Sequence, residues 1–437
     1  MARDWIKWIK IRKEGFDRHL VVNLKGEAFI VNDLGRFIIE QYMEGKEINE
    51  IAKNVSSIYN TSIQSSKKVV EEFISNFELI IKGIKTCPKK SISYKSPLSL
   101  SLILTYRCNL SCRHCLVGEK RYSNLTDLSL EHIKKLASEA EELGIFTVVL
   151  NGGEPMVRHD FFDILEILHN HGLSTILLTN SLLLSPEKIR KMNQLGVIAY
   201  RVSIEGSKRE TNDLIRGHGT FEKIVENIRN LVNFSDAEIE LSVTYGKHNI
   251  SEIEEVVELA SNLGVGSIKF ASLRPEGFGK DLFELVPSIE EQVLVNLKIE
   301  KLQKLYPEIR IEGDGYRIFD KNVVCGIAKS LTIIPNGSVI PCDIFELIDS
   351  PDVILGNISD SSIEKIWNSK KAKQIRSLVK RENKKLCKIC KFFENCFTYC
   401  IAEVYKECGS FTPCSKFLFK CYNYHLLYNR MRNSIDI

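Results

Sequence analysis

Between residues 98 and 310 the chain changes its hydrophobic period over and over. Short apolar runs alternate with stretches whose apolar residues recur every three or four positions. SLSLILTY reads as a buried strand. SLEHIKKLASEAEELG reads as a helix with Leu130, Ile133, Leu136, Ala137 and Ala140 on one face. FTVVL, STILLTN, VIAYRVSI, EIELSVTY and SIKFASL continue the strands. DFFDILEILHNHG, PEKIRKMNQLG, FEKIVENIRNLVNF and SEIEEVVELASNLG continue the helices. Six units of this kind predict an α/β fold with a parallel sheet, curved into a partial barrel. In such sheets the loops that carry function lie at the C-terminal ends of the strands. CNLSCRHC follows the first strand directly. It sets Cys108, Cys112 and Cys115 at spacing C-x3-C-x2-C.

The rhythm is absent on either side. Residues 1–90 hold two alternating runs, HLVVNL and EAFIV, separated by KGE. Three helical patterns follow: NDLGRFIIEQYMEG with Asn32 as N-cap, EINEIAKNVSSIYN, and SSKKVVEEFISNFELI with Val69, Phe73 and Phe77 one turn apart. A small hairpin with three helices predicts a winged-helix-like domain. The basic, aromatic start contains WIKWIKI, which alternates with period two and reads as a strand rather than a membrane-surface segment. KTCPKKSISYKSP, residues 85–97, reads as a linker. From 311 to 437, LTIIPNGSVIPC reads as a hairpin turning at Asn336-Gly337, and IEKIWNSKKAKQIRSLV as a helix. The remainder is read as short, cysteine-rich elements that metal clusters hold together better than a small core does.

The chain has 13 cysteines, nine of them between Cys325 and Cys421. A secreted chain would use such thiols for disulfides. This one opens with no signal peptide, so a cytoplasmic location and metal binding are expected. Net charge is +4, from 60 basic and 56 acidic residues, too mild for nucleic acid as the main partner. No apolar run reaches the length of a membrane span.

Three thiolates on one loop hold three corners of a cubane [4Fe–4S] cluster and leave the fourth iron open for chemistry. The alternative is zinc, which prefers four protein ligands when structural. The loop resembles the signature of the radical SAM superfamily, C-x3-C-x2-C after the first strand of a partial (β/α)6 barrel. The residue before the last cysteine, usually aromatic in that family, is His114 here. The second strand ends in NGGEP, similar to the family's glycine-rich motif for the amino group of S-adenosylmethionine. Gly152, Gly153 and Pro155 would sit close to the cofactor, and the Glu154 carboxylate would accept from its ammonium. Thr179 and Asn180 end the third strand as the family's pattern does. RVSIEG, 201–206, resembles its VSIDG, with Glu205 in the aspartate position. NDLIRGHGTF, 212–221, resembles its HD-x-x-RG-x-x-x-F segment. The resemblance implies that Asn180 lines the cofactor and that Ser203 and Arg216 contact its ribose and carboxylate. It implies an enzyme in which one electron, from a reductant such as flavodoxin or ferredoxin, cleaves S-adenosylmethionine. The 5′-deoxyadenosyl radical so formed takes a hydrogen from the substrate. No general base stands out among the barrel residues.

The tail reads Cys325-x11-Gly337-x4-Cys342, then Cys387-x2-Cys390-x5-Cys396-x3-Cys400, then Cys408, Cys414 and Cys421. The 387–400 run alone would pass for a zinc knuckle. The whole resembles the SPASM extension, which implies two auxiliary [4Fe–4S] clusters. By that resemblance Cys325, Cys342 and Cys400 bind the first. Cys387, Cys390, Cys396 and Cys414 bind the second, with Cys408 and Cys421 as rivals of Cys414. Some family members have a further cysteine between the positions of Cys325 and Cys342. Its absence here implies three protein ligands for the first auxiliary cluster.

Residues 18–85 resemble the PqqD-like recognition domain of enzymes that modify ribosomal peptides. That implies a precursor peptide whose leader adds as a strand to the hairpin edge, against the third helix. The segment CGIAKSLTIIPNGSVIPC, with LGNI and IEKIWNS after it, resembles that of sactipeptide maturases. The function expected is a peptide maturase joining a cysteine sulfur to a carbon. A maturase making C–C or C–O cross-links, or another oxidative change, is the alternative. A non-catalytic iron–sulfur or DNA-binding regulator is the third.

Overall fold

The computed structural model describes residues 9–22, 28–81, 94–122, 126–313, 325–379, 387–388, 390–392 and 400–433. Most of the expected linker, with Cys87, lies outside them, as do the start of WIKWIKI and Cys396. The chain forms two compact units, Met1–Lys95 and Ser96–Ile437.

In the first unit β1 (Lys10–Gly15), β2 (Arg18–Val22) and β3 (Ala28–Val31) form an antiparallel sheet in that order. The described end of WIKWIKI, Lys10 and Ile11, belongs to β1. Helices α1 (Asp33–Met43), α2 (Ile48–Tyr59) and α3 (Ile63–Ile81) follow. Asn32 caps α1 as expected, its side-chain oxygen accepting from Gly35 N at 2.8 Å. The α3 expectation needs a correction. Its core face is Val70, Ile74, Phe77 and Ile81, while Val69 is 46% exposed. The apolar stripe of α3 is wider than one row. Its outer edge borders a groove of about 370 Å³ between α3 and β3, lined by Phe29, Val31, Val69, Phe73, Phe77 and Ile80, with Glu72 at the same site. Among the described residues β3 pairs only with β2, so its other backbone edge carries no strand.

The second unit alternates as predicted: β4 (Ser99–Thr105), α4 (Leu130–Glu142), β5 (Thr147–Gly152), α5 (Phe161–Asn170), β6 (Ser174–Thr179), α6 (Pro186–Gln194), β7 (Val197–Ser203), α7 (Arg209–Arg216), α8 (Thr220–Phe234), β8 (Glu238–Tyr245), α9 (Ile253–Leu263) and β9 (Ser267–Ser272). Three of this stretch's elements were not foreseen: α7, α10 (Ile289–Leu305) and a short strand β10 (Arg310–Glu312) parallel to β9. A capping box, Ser288 with Glu291, starts α10. The tail supplies β11 (Ser330–Ile333), β12 (Ser338–Ile340) and β13 (Gly356–Asn357). The hairpin turns at Asn336-Gly337, where Gly337 has φ +82°. The helix expected over IEKIWNSKKAKQIRSLV breaks at Ser369 into α11 (Ile363–Asn368) and α12 (Lys370–Leu378), because Ser369 caps the second piece by accepting from Ala372 N. Two helices follow, α13 (Ile401–Cys408) and α14 (Ser415–Arg432). At 18 residues α14 is no short element.

One ten-stranded sheet runs through the unit in the order β10-β9-β8-β7-β6-β5-β4-β11-β12-β13. It is parallel from β10 to β11, and β12 and β13 are antiparallel. The sheet does not stop at residue 311: the first tail strand continues it beside β4. Among the described residues, no helix is long and apolar enough to cross a membrane.

Candidate active site at the strand ends

Because β4 to β9 are parallel, their C-terminal ends lie along one edge of the sheet. The three-cysteine loop leaves β4 at that edge. Its thiols stand within electrostatic reach of one another: Cys112 feels both Cys108 and Cys115, and Cys108 feels Cys115. Burial pushes the Cys108 thiol up, and Cys112 up to about 11, while the Arg216 guanidinium pulls Cys112 the other way. A single ion would need three ligands at coordination distance, and among the described residues no such group occurs.

The loop is fixed by neighbours from several strand ends. Asn180, after β6, donates from Nδ2 to Asn109 Oδ1 at 2.8 Å and stands 3.7 Å from Cys108 Sγ. Arg113 N donates to Ile215 O at 2.9 Å, tying the loop to α7. Phe278 N donates to Cys115 O at 2.9 Å. That last contact comes from RPEGFG, residues 274–279, a segment to which the sequence assigned no role. Gly277 has φ +55°, and a Cβ there would run into the carbonyl oxygens of Cys115 and Leu116. The same segment pairs Arg274 with Glu403 and Glu276 with Lys406, both on α13 just after Cys400.

NGGEP lies at the end of β5, as expected. Its glycines serve a close approach, but to the neighbouring strand. A Cβ on Gly152 would meet Thr105 O, and one on Gly153 would meet Arg107 O. Gly153 N donates to Thr105 O at 2.8 Å and Glu154 N to Arg107 O at 2.9 Å. The Glu154 side chain turns inward, between β5 and β6. It is fully buried and accepts from Thr179 Oγ1 at 2.9 Å and Asn180 N at 2.8 Å. Burial pushes its carboxyl up against the pull of those bonds. In this structure Glu154 is an internal strut between β5 and β6, with Pro155 opening a short 3-10 turn behind it.

Ser203 ends β7 and is half-buried. Arg216 ends α7, is buried, and donates from Nη2 to Glu205 Oε1 at 2.7 Å. Burial alone would raise the Glu205 carboxyl. His114 and Arg216 outweigh it and hold the group low.

The tail meets the same edge. Cys342 opens a 3-10 turn over Asp343–Leu347, and Cys325 and Cys400 lie close enough that, with burial, they push its thiol well up. Asp343 is a carboxylate that sequence reading missed. It is exposed, yet both oxygens are held: Asn151 Nδ2 donates to one at 3.0 Å and Thr332 Oγ1 to the other at 2.6 Å. Only the joining of β11 to β4 brings it beside NGGEP, so no local signal announced it. Cys387 and Cys390 are half-buried, with Cys390 N donating to Cys387 O at 2.9 Å. Cys414 departs from expectation. It forms a disulfide with Cys408, and a sulfur so bonded does not ligate iron. Cys421 on α14 is half-buried. The segment after Cys390 packs on that helix, with the Phe392 ring 5.5 Å from Tyr422 and 5.3 Å from His425.

Residues 102–268 match the family model described as the radical SAM superfamily, and residues 325–396 match an iron–sulfur cluster-binding domain, SPASM. The chain carries a radical SAM domain and a SPASM domain. The radical SAM domain binds a [4Fe–4S] cluster and S-adenosylmethionine, and the SPASM domain binds auxiliary clusters. The donor set fits: grouped cysteine thiols at the strand edge, and a second group around Cys342. Mycofactocin maturase MftC of Mycolicibacterium smegmatis is 28% identical over 78% of this chain and 83% of its own length. An AdoMet-dependent heme synthase of Methanosarcina barkeri is also 28% identical, over 72% and 94%. Among solved structures, Streptococcus suis SuiB bound to its precursor peptide SuiA superposes with a TM-score of 0.66 over 92% of this chain and 96% of that one, at 14% identity.

Proposed function

We propose that this chain is a radical SAM maturase that joins a cysteine sulfur of a ribosomally made peptide to a carbon of the same peptide. The observation that carries the reading is the groove between α3 and the edge of β3 that pairs with no strand among the described residues, in a chain whose other unit holds the radical SAM and SPASM domains. An extended peptide adds to such an edge by backbone hydrogen bonds, with alternate side chains in the groove. The likeness to a mycofactocin maturase, and to a fold solved with a precursor peptide bound, supports a peptide substrate.

In this reading Cys108, Cys112 and Cys115 hold the first cluster, and Gly152, Gly153, Pro155, Asn180, Ser203 and Arg216 line the cofactor. Glu154 supports that lining from behind. Cys325, Cys342 and Cys400 hold the first auxiliary cluster. Cys387, Cys390 and Cys396 hold the second, completed by Cys421. Together the first cluster and S-adenosylmethionine supply, when bound, the radical that takes a hydrogen atom. The protein binds and orients the peptide and excludes water. Joining sulfur to carbon removes two hydrogens: one leaves as the abstracted atom, one as the thiol proton. Asp343, oriented by Asn151 and Thr332 and open to solvent, takes that proton. An auxiliary cluster held by the tail cysteines would take up the leftover electron, and a flavodoxin or ferredoxin would supply the electron that starts each turnover.

The test is the mass of the precursor peptide after anaerobic incubation with the reconstituted protein, S-adenosylmethionine and reductant. Loss of two hydrogens per cysteine, with those thiols no longer alkylatable, is the expected result. The same loss with free thiols retained would move the bond to carbon or oxygen and overturn the thioether. Three variants probe the assignments. Val69→Glu sets a charge in the groove and is expected to weaken leader binding by on the order of tenfold, read by fluorescence anisotropy. The melting temperature should hold, because Val69 faces solvent. Cys421→Ala is expected to lose one cluster's share of iron, while Cys414→Ala keeps it. The reverse pattern, by iron assay, returns the ligand role to Cys414.

A further inference from the structure

The middle of the three-cysteine loop is held by one buried carboxylate. Glu205 follows β7 and is 1% exposed. Its Oε1 accepts from His114 Nε2 at 2.9 Å and from Arg216 at 3.1 Å (Nε) and 2.7 Å (Nη2). Its Oε2 accepts from Thr244 N at 2.8 Å, at the end of β8. The backbone of Glu205 is fixed as well, its N donating to Asn212 Oδ1 at 3.1 Å and its O accepting from Asn249 Nδ2 at 2.8 Å. Every hydrogen-bonding face of this residue is thus tied, to the cysteine loop, to α7, to β8 and to the turn after β8.

His114 and Glu205 are two residues by which this chain departs from the radical SAM motifs, where an aromatic and an aspartate are usual. Here they meet. An aspartate would stop one carbon–carbon bond, about 1.5 Å, short of its partners. A hydrocarbon aromatic at 114 would offer Glu205 no donor. We propose that Glu205 is a positioning residue for the first iron–sulfur cluster, acting through His114 to hold the segment between Cys112 and Cys115 in its ligating shape. Residues that orient the ligands of a metal typically change its retention by about 10- to 100-fold when removed.

The proposal rests on the three-cysteine loop being the cluster site, and the experiment separates the two. Full-length chain is reconstituted without oxygen. Loss of the cluster whose EPR signal changes on adding S-adenosylmethionine is then timed against an iron chelator. Cys112→Ser should lack that signal from the start; if it keeps it, the cluster lies elsewhere and both readings fall. His114→Phe and Glu205→Gln should each lose the signal about tenfold faster than the native chain. The double variant should be no faster than the worse single, since both remove one contact. His114→Gln, whose amide nitrogen reaches the place of Nε2, should restore most of the retention. Native retention in His114→Phe, multiplying effects in the double variant, or no rescue by glutamine would each overturn the positioning role. If Glu205→Gln does not fold, the Phe and Gln variants at 114 decide alone.

Discussion

Gly277→Ala is expected to lower 5′-deoxyadenosine formation by about a hundredfold, although Gly277 ligates nothing. Two costs combine. A left-handed backbone conformation costs an ordinary residue about 1–2 kcal/mol. The new methyl group also collides with the carbonyls of Cys115 and Leu116, which are backbone and cannot swing aside. Either the RPEGFG segment withdraws and takes the Phe278 N to Cys115 O bond with it, or the cysteine loop shifts. Both outcomes move a ligand. Iron content and S-adenosylmethionine cleavage, measured together, check this. A variant with full iron and native cleavage would show that the loop tolerates the displacement.

Asp343→Asn is expected to act later in the reaction. The amide keeps the size of the side chain but cannot take a proton. Modified peptide formed per 5′-deoxyadenosine should fall by about a hundredfold or more, the usual scale for loss of a general base. An unchanged ratio of product to 5′-deoxyadenosine removes Asp343 from the chemistry and leaves it as a bridge between Asn151 and Thr332.

Much of the barrel was legible because each strand carries its own signal. VIAYRVSI is apolar and β-branched between two helical stretches, and it forms β7 almost to the residue. The cysteine spacings and NGGEP were legible for the same local reason. Where local pattern and burial diverge, reading failed. In α10 the buried Val293, Val295, Leu297 and Ile299 alternate as in a strand, because the helix is covered on more than one side. Its capping box was the signal that went unread. Asp343, the RPEGFG segment and the pairing of His114 with Glu205 each depend on residues far apart along the chain. The disulfide of Cys414 with Cys408 was hidden differently: spacing allowed several partners and could not choose.

The pairing of Ser330–Ile333 with β4 bears on how the molecule is made. The strand that leads into the cysteine loop emerges from the ribosome early, and one of its two backbone edges stays unfilled until residue 330 follows. Leu100 and Leu102 lie along that waiting edge. A nascent or truncated chain ending before β11 presents an apolar strand with open hydrogen bonds, the usual starting point for edge-to-edge association. The barrel and the tail are therefore one unit of synthesis and of inheritance. A recombinant barrel cut at residue 313 should aggregate where the whole chain folds.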